Sequence, residues 1–209
     1  MQRTRIYLVR HGQVEGHAEK RYNGQVNVPL TQLGREQSDR VCDCLANLSL
    51  DAVYSSDLDR SHHCAELIAV AHDLTVNSDK SLRELNIGDW EGRTWAELQE
   101  AYPDDWQARL RDLVNFQVPG GESLQDAADR IRPTVQKIVK NHPDSEVVLV
   151  AHGGANRIIL LDAIGAPLEQ AFSLEQDYGC VNIIDYFADG NSVVKLLNST
   201  AHQEINCVL

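Results

Sequence analysis

Short apolar runs alternate with amphipathic stretches along the whole chain. Strands are predicted over 5–10, 52–56, 74–78, 146–151, 181–187 and 192–198. Helices are predicted after Pro29-Leu30-Thr31 and over about 57–72, 94–101, 104–113, 123–141 and 154–164. Because short apolar runs such as Ile6-Tyr7-Leu8-Val9 alternate with predicted helices, the pattern favours a mostly parallel sheet that is covered on both faces.

The order of these elements predicts an α/β protein built as a three-layer α/β/α sandwich. Asp189-Gly190-Asn191 stands between the last two strands and predicts a hairpin turn there. The chain has 209 residues, which suits one domain over 1–209, with a small helical cap inserted at about 85–122.

Two histidines follow buried strands in the same way. Arg10-His11-Gly12 comes directly after the first strand, and His152-Gly153-Gly154 comes directly after the strand at 146–151. Ligands of open α/β sheets bind outside the carboxyl ends of parallel strands. We therefore expect His11 and His152 to share one crevice.

Arg60 and Glu84 extend this set, because each follows another predicted strand. Phosphoryl transfer needs an in-line nucleophile, positive charge on the phosphoryl oxygens and a proton for the leaving oxygen. We expect His11 to attack the phosphorus atom, and Glu84 to protonate the leaving group. The guanidinium forks of Arg10 and Arg60, together with His152, would bind the oxygens.

These residues lie in short motifs that resemble the histidine phosphatase superfamily, whose other well-known branch is the cofactor-dependent phosphoglycerate mutases. The motifs are Arg10-His11-Gly12-Gln13, Arg21-Tyr22-Asn23-Gly24, Pro29-Leu30-Thr31-Gln32-Leu33-Gly34, Tyr54-Ser55-Ser56-Asp57-Leu58-Asp59-Arg60, Arg83-Glu84-Leu85-Asn86-Ile87-Gly88-Asp89-Trp90-Glu91-Gly92, Gly120-Gly121-Glu122-Ser123 and Val150-Ala151-His152-Gly153-Gly154. They stand in the family's order and span residues 5 to about 200. The resemblance implies a phosphoglycerate mutase-like fold and a phosphohistidine at His11.

The resemblance also implies a phosphate pocket of Arg10, Arg60 and His152, Glu84 as proton donor, and neither a metal nor an organic cofactor. The family usually has an asparagine where this chain has His17, so His17 either replaces that phosphate contact or is an exposed loop residue.

Two further residues are candidate substrate contacts. Asn23 either contacts the substrate or is a turn residue. Gly153 lies at the predicted start of the helix after His152.

Phosphatase and mutase are both members of the resembled superfamily. The mutases carry a longer insertion, with extra basic residues, between the positions of Glu84 and His152. The shorter cap here favours hydrolysis, with mutase as the alternative, and Arg93, Arg109 and Arg111 are candidates to hold a distal anion. The motif around Glu84 is similar to that of α-ribazole-5′-phosphate phosphatases of cobalamin synthesis, and also to that of general small-metabolite phosphatases.

Composition excludes some partners. The net charge of −12 disfavours nucleic acid and anionic membranes, so the expected partner is a small phosphorylated substrate, while an oligomer stays open. The chain contains five cysteines, Cys42, Cys44, Cys64, Cys180 and Cys207, without a Cys-x-x-Cys pair, and we interpret them as reduced thiols. With no signal-peptide pattern and no run of about 18 apolar residues, a cytoplasmic protein is expected.

The sequence also bears on two other kinds of function, a binding protein and a metallohydrolase. A catalytically silent phospho-ligand binding protein is disfavoured because both histidines, both arginines and Glu84 are present. A metallohydrolase is disfavoured because no His-x-x-x-His motif or carboxylate cluster is found. The sequence leaves open whether His202 and Glu122 reach the pocket, and whether Trp90, Trp95 and Trp106 line it.

Overall fold

The computed structural model describes residues 2–203. Its strands are β1 (Arg3–Arg10), β2 (Ala52–Ser55), β3 (Val76–Ser78), β4 (Glu146–Ala151), β5 (Val181–Phe187) and β6 (Ser192–Ser199). Its α-helices are α1 (Gln32–Leu45), α2 (Asp59–Ala71), α3 (Trp95–Ala101), α4 (Pro103–Arg111), α5 (Leu124–Asn141) and α6 (Gly153–Ile164). The predicted strands and helices are therefore confirmed, with ends that move by one to a few residues, while Cys207 lies outside the described residues.

The six strands form one mixed sheet in the order β3-β2-β4-β1-β5-β6. β3, β2, β4 and β1 are parallel to one another. The β5–β6 hairpin continues the sheet, with β5 antiparallel to β1. β1 and β4 are adjacent, with Arg10 paired to Ala151 at the ends of the two strands. This register brings the residue after each strand, His11 or His152, to the same edge of the sheet.

Helices cover both faces of the sheet, as the strand pattern predicts. Side chains alternate along β1, so that Ile6 and Leu8 join the core under α5 and α6, while Tyr7 and Val9 join the core under α1 and α2. The α/β/α sandwich is confirmed.

A smaller apolar cluster is formed by residues that lie between β3 and α5 in the sequence. Ile87, Trp90, Leu98 and Val118 form its buried centre, and Trp90 is completely inaccessible to solvent. Trp106 packs against this cluster and Trp95 is 44% exposed, so Trp90 and Trp106 serve cap packing. Of the three tryptophans, only Trp95 has a large exposed surface.

Two features of the C-terminal half were not predicted. A 3₁₀ helix spans Leu168–Ser173, and a second one spans Ala201–Gln203. The loop between the first of these and β5 runs along the carboxyl end of β1, where Cys180 O accepts a hydrogen bond from Arg10 N. That loop therefore reaches the edge of the sheet that carries His11.

Candidate active site

His11 stands immediately beyond β1 and is 4% exposed. Its Nδ1 lies 2.7 Å from Gly12 O, and a carbonyl oxygen only accepts hydrogen bonds, so the proton is on Nδ1. Burial, followed by the guanidinium groups of Arg60 and Arg10, holds the pKa of His11 well below its usual value. The neutral ring therefore keeps a lone pair on Nε2, which accepts no hydrogen bond from residues 2–203.

His152 packs against His11, with ring centroids 5.1 Å apart. Its Nε2 lies 2.7 Å from Ser56 Oγ, while its Nδ1 is buried and has no partner among the described residues. Ser56 Oγ already accepts from Leu58 N, so its hydroxyl proton is available for His152 Nε2. In that arrangement His152 carries its own proton on Nδ1.

Burial, together with the guanidinium charge of Arg60, holds the pKa of His152 well below its usual value. His152 is therefore neutral, like His11. The two rings form a neutral pair that is surrounded by permanent positive charge.

Arg10 lies beside both rings. Its Nη1 donates to Gln176 O, and its Nε is buried without a hydrogen-bond partner in the described part of the chain. A Cβ on Gly153 would lie 3.3 Å from Arg10 Nε, which shows how closely α6 approaches this guanidinium. Arg10 forms no ion pair with any residue from 2 to 203, so no carboxylate neutralises its charge.

Arg60 is 3% exposed and donates from Nη2 to Gly24 O at 2.6 Å and from Nη1 to Val26 O at 2.7 Å. Glu91 holds the same loop from the other side, because its Oε1 accepts from Gln25 N at 2.7 Å. Burial raises the pKa of the Glu91 carboxyl, and its Oε2 has no hydrogen-bond partner within residues 2–203. The loop 24–26 thus joins the Glu91 carboxyl to the Arg60 guanidinium.

Glu84 approaches from the loop after β3. Its Oε1 accepts from Leu85 N at 2.9 Å and its Oε2 accepts from Gly154 N at 3.0 Å. A Cβ on Gly154 would lie 2.4 Å from Glu84 Oε1, so glycine is needed for this approach. Glu84 therefore lies against the N-terminal turn of α6, directly after His152.

Arg130 and Glu122 hold the backbone of the Glu84 loop. The Arg130 guanidinium donates to the carbonyl oxygens of Ser81, Arg83 and Glu84, and it pairs with Glu122 at 2.5 Å. Glu122 also accepts from Asn86 N at 2.9 Å. Through these contacts Glu122 and Arg130 order the backbone of the cap beside Glu84. The sequence alone assigns no role to Arg130.

The remaining predicted contacts are His17, Asn23 and Gly153. His17 is exposed in a 3₁₀ helix (His17–Glu19), and Asn23 accepts from Val26 N through its carbonyl, as a turn residue does. Neither side chain forms a hydrogen bond with the groups described above. Gly153, by contrast, is the first residue of α6 and lies between Arg10 and Arg157.

Gly12 lies where the loop after β1 meets α1. A Cβ at Gly12 would lie 2.0 Å from Gly34 O. The glycine is thus required by packing between the loop and the first turn of α1.

His202 does not face the pocket. Its Nε2 hydrogen-bonds Gly179 O at 2.8 Å, so it contacts the loop that precedes β5. Arg109 is 8% exposed, lies 5.7 Å from the centre of the Tyr22 ring, and has no ion-pair partner among residues 2–203, whereas Arg111 is exposed.

Sequence reasoning missed Ser56 and Tyr178. Ser56 was present in a family motif, but nothing in a single sequence shows that its hydroxyl points at His152. Tyr178 lies 5.7 Å from His11, ring to ring, because β5 runs antiparallel to β1 and begins at the carboxyl end of that strand. The signal was the hairpin itself, since placing β5 beside β1 would have brought 176–180 to His11.

In the part of the chain that the structure describes, no group of three or more His, Cys, Asp or Glu side chains is arranged to hold a metal ion. No helix among residues 2–203 has the length and apolar character needed to cross a bilayer.

Residues 6–199 match the histidine phosphatase superfamily (branch 1), and the chain belongs to this family. The curated relatives include a bifunctional protein of Mycobacterium tuberculosis that is 34% identical over 200 residues. This alignment covers 95% of the chain but only 55% of the relative, so the chain spans about half the length of that protein.

Relatives and solved structures with more specific names include both mutase-like proteins and phosphatases. Phosphoglycerate mutase-like protein 4 of Arabidopsis thaliana is 36% identical over 155 residues, covering 73% of this chain and 67% of the relative. The α-ribazole phosphatase structure from Shigella flexneri has a TM-score of 0.86 at 28% identity and covers 93% of this chain and 96% of that one. The mycobacterial glucosyl-3-phosphoglycerate phosphatase structure also has a TM-score of 0.86 at 28% identity, with 96% and 100% covered. The named similarities therefore include both phosphatases and a mutase-like protein.

Proposed function

We propose that this chain is a metal-independent phosphomonoesterase that acts through a phosphohistidine at His11. The observation that carries the proposal is the state of the His11 ring. Nδ1 is fixed as a donor by Gly12 O, the charges of Arg60 and Arg10 act on the buried ring and favour its neutral form, and no described residue donates a hydrogen bond to Nε2. A neutral imidazole with a free lone pair beside concentrated positive charge is a nucleophile for a phosphoryl group.

The surrounding groups fit the three equatorial oxygens of such a phosphoryl group. Arg10 brings a guanidinium that no carboxylate neutralises, and Arg60 brings a second one. His152 Nδ1 is a buried donor without a described partner, which a phosphoryl oxygen would satisfy. Gly153 N, at the start of α6, adds the positive end of a helix.

In the first step His11 Nε2 attacks the phosphorus atom, the N–P bond forms and the ester P–O bond breaks. Glu84 gives its proton to the leaving alkoxide, which departs as the alcohol. In the second step water attacks the phosphohistidine and its proton returns to Glu84. The N–P bond breaks, and orthophosphate leaves with His11 neutral again.

The substrate is proposed as a small phosphorylated metabolite, with α-ribazole 5′-phosphate as the first candidate. The Shigella flexneri neighbour supports this choice, and the motif around Glu84 was already similar to that group. A phosphoglycerate mutase is the second candidate, because the Arabidopsis thaliana relative is mutase-like and Arg109 offers an unneutralised charge in the cap. The non-catalytic alternative predicts binding without turnover.

The test is phosphate release from α-ribazole 5′-phosphate, phosphoserine and 3-phosphoglycerate in the presence of EDTA. We expect release that is abolished by His11→Ala and retained by His63→Ala, a change at a half-buried helix histidine outside the site. Activity retained by His11→Ala would refute the mechanism. Isomerisation of phosphoglycerate without release would favour the mutase, and binding without either reaction would favour the silent protein.

A further inference from the structure

Tyr178 lies over the Arg10 guanidinium. Arg10 Cζ is 3.9 Å from the centre of the Tyr178 ring, and the same ring lies 5.7 Å from the ring of His11. The other contact of this guanidinium is the Nη1 bond to Gln176 O, from the same loop. The loop 176–178 therefore holds Arg10, and no carboxylate among the described residues shares that task.

The kind of contact matters for a group that must bind an anion. A carboxylate partner would orient Arg10 but would also compete with phosphate for the guanidinium. A ring face attracts the cation and fixes its plane without accepting its N–H donors. The fork of donors thus keeps both its charge and its orientation for a phosphoryl group.

We propose that Tyr178 is a positioning residue, whose ring holds Arg10 in the orientation that binds phosphate. The inference rests on the proposed function in one respect, that Arg10 contacts the phosphoryl group. It assigns the effect to the aromatic ring and not to the phenolic hydroxyl.

The loop that carries Tyr178 is itself fixed on both sides. Gly179 N donates to His11 O at 3.1 Å, which ties the loop to the residue that carries the lone pair. On the outer side, His202 Nε2 hydrogen-bonds Gly179 O at 2.8 Å and Gln203 Nε2 donates to Tyr178 O at 2.8 Å. The 3₁₀ helix Ala201–Gln203 therefore clamps the two peptide groups next to the ring.

The same clamp reaches the loop after His11 through α1. Gln37 accepts from Gln13 N at 2.8 Å and donates to Gln203 Oε1 at 3.1 Å. The C-terminal 3₁₀ helix is thus connected to the segments on both sides of Arg10 and His11. A change at Gln203 should loosen Tyr178 without touching its ring.

The experiment is a double-mutant cycle that is read out as the dissociation constant of orthophosphate. Tyr178→Leu removes the ring, Tyr178→Phe keeps it without the hydroxyl, and each is combined with Arg10→Met. The matched control is Tyr102→Leu, because Tyr102 stacks on Arg93 at 5.3 Å in the cap. Melting temperatures establish that each variant is folded, and Gln203→Ala serves as a second probe should Tyr178→Leu not fold.

We expect Tyr178→Leu to weaken orthophosphate binding about tenfold, which is the scale of a partly desolvated cation–π contact. Tyr178→Phe and Tyr102→Leu should stay within about twofold of the unsubstituted chain, and Gln203→Ala should weaken binding two- to threefold. In the Arg10→Met background the loss caused by Tyr178→Leu should vanish. In catalysis, the loss from Tyr178→Leu should appear in KM for a phosphomonoester more than in kcat.

An equal loss in the Phe and Leu variants would overturn the proposal, and so would a tenfold loss that persists in the Arg10→Met background. Unchanged binding in Tyr178→Leu would do the same. A chain that binds orthophosphate but cleaves no ester would defeat the proposed function alone, since the cycle depends only on binding. A chain that hydrolyses esters with no Tyr178–Arg10 coupling would defeat only this inference.

Discussion

Replacing Ser56 by alanine removes the hydroxyl that holds His152. Both side chains are completely inaccessible to solvent, and their 2.7 Å hydrogen bond lies within the core of the site. The substitution leaves His152 Nε2 buried without its partner. Without this hydrogen bond, the His152 ring is no longer restricted to the tautomer with its proton on Nδ1.

The magnitude follows from the burial of this pair. Leaving one polar atom unsatisfied costs about 1–3 kcal/mol, so the free energy of unfolding should fall by roughly 1–2 kcal/mol for this small side chain. That corresponds to about 2–8 °C in the melting temperature of a chain of this size. A comparable loss of transition-state stabilisation lowers kcat/KM by about 5- to 30-fold.

The assay compares Ser56→Ala with Ser55→Ala, a buried serine one position earlier. Ser55 Oγ hydrogen-bonds His62 Nδ1 at 3.3 Å, so this control also breaks a serine–histidine contact. We expect kcat/KM to fall only in Ser56→Ala, while nitrogen NMR shifts show that His152 loses its preference for a proton on Nδ1. Unchanged kcat/KM in a less stable Ser56→Ala protein would refute the assigned role of the hydroxyl.

Three further outcomes are expected from the charges of the site. Burial lowers the pKa values of His11 and His152, so below about pH 6.5 the unfolded chain binds more protons than the folded chain. As the pH decreases below this value, the free energy of unfolding should decrease by up to about 1.4 kcal/mol per pH unit for each ring. Urea unfolding between about pH 7 and 5 measures this slope, His11→Asn should reduce it, and a flat profile would show that the rings are not buried neutral. Glu84→Gln should lower kcat about 100-fold for an alkyl phosphate but much less for a nitrophenyl phosphate, whose leaving group needs no proton; a uniform loss would remove Glu84 from the acid role. Arg109→Gln should lower kcat/KM about tenfold for 3-phosphoglycerate, which carries a carboxylate, and leave α-ribazole 5′-phosphate unchanged; equal losses would show that Arg109 only packs the cap.

Much of the site could be predicted because its parts follow apolar strands. β1 and β4 each contain a run of buried apolar residues, and a parallel pair ends at one edge of a sheet, so His11 and His152 had to be close. Arg60 and Glu84 follow from the same rule, since they come after β2 and β3.

The groups that position these residues could not be predicted in the same way. Arg130 lies on an amphipathic helix, and its partners are three carbonyl oxygens about 46–49 residues away in sequence. A backbone carbonyl leaves no trace in the pattern of side chains. Glu91 is similar, because its partner is a peptide N–H of the loop 24–26.

His17 shows what a resemblance leaves open. The sequence allows either a phosphate contact or an exposed loop residue at this position, and the structure places the side chain on an exposed 3₁₀ turn. Resemblance transfers the residue type expected at a position, whereas the path of a loop depends on contacts that the single sequence does not reveal.

The central position of β1 has a consequence for how the site is assembled. β1 precedes the other strands of this sheet in sequence, yet both of its neighbours, β4 and β5, begin only at Glu146 and Val181. Pairing over such separations is slow because a long segment must be ordered first. His11 therefore gains His152 and Tyr178 only after most of the chain has left the ribosome. During refolding, the return of phosphate binding should coincide with the last ordering event of the sheet, which makes bound phosphate a reporter of complete folding.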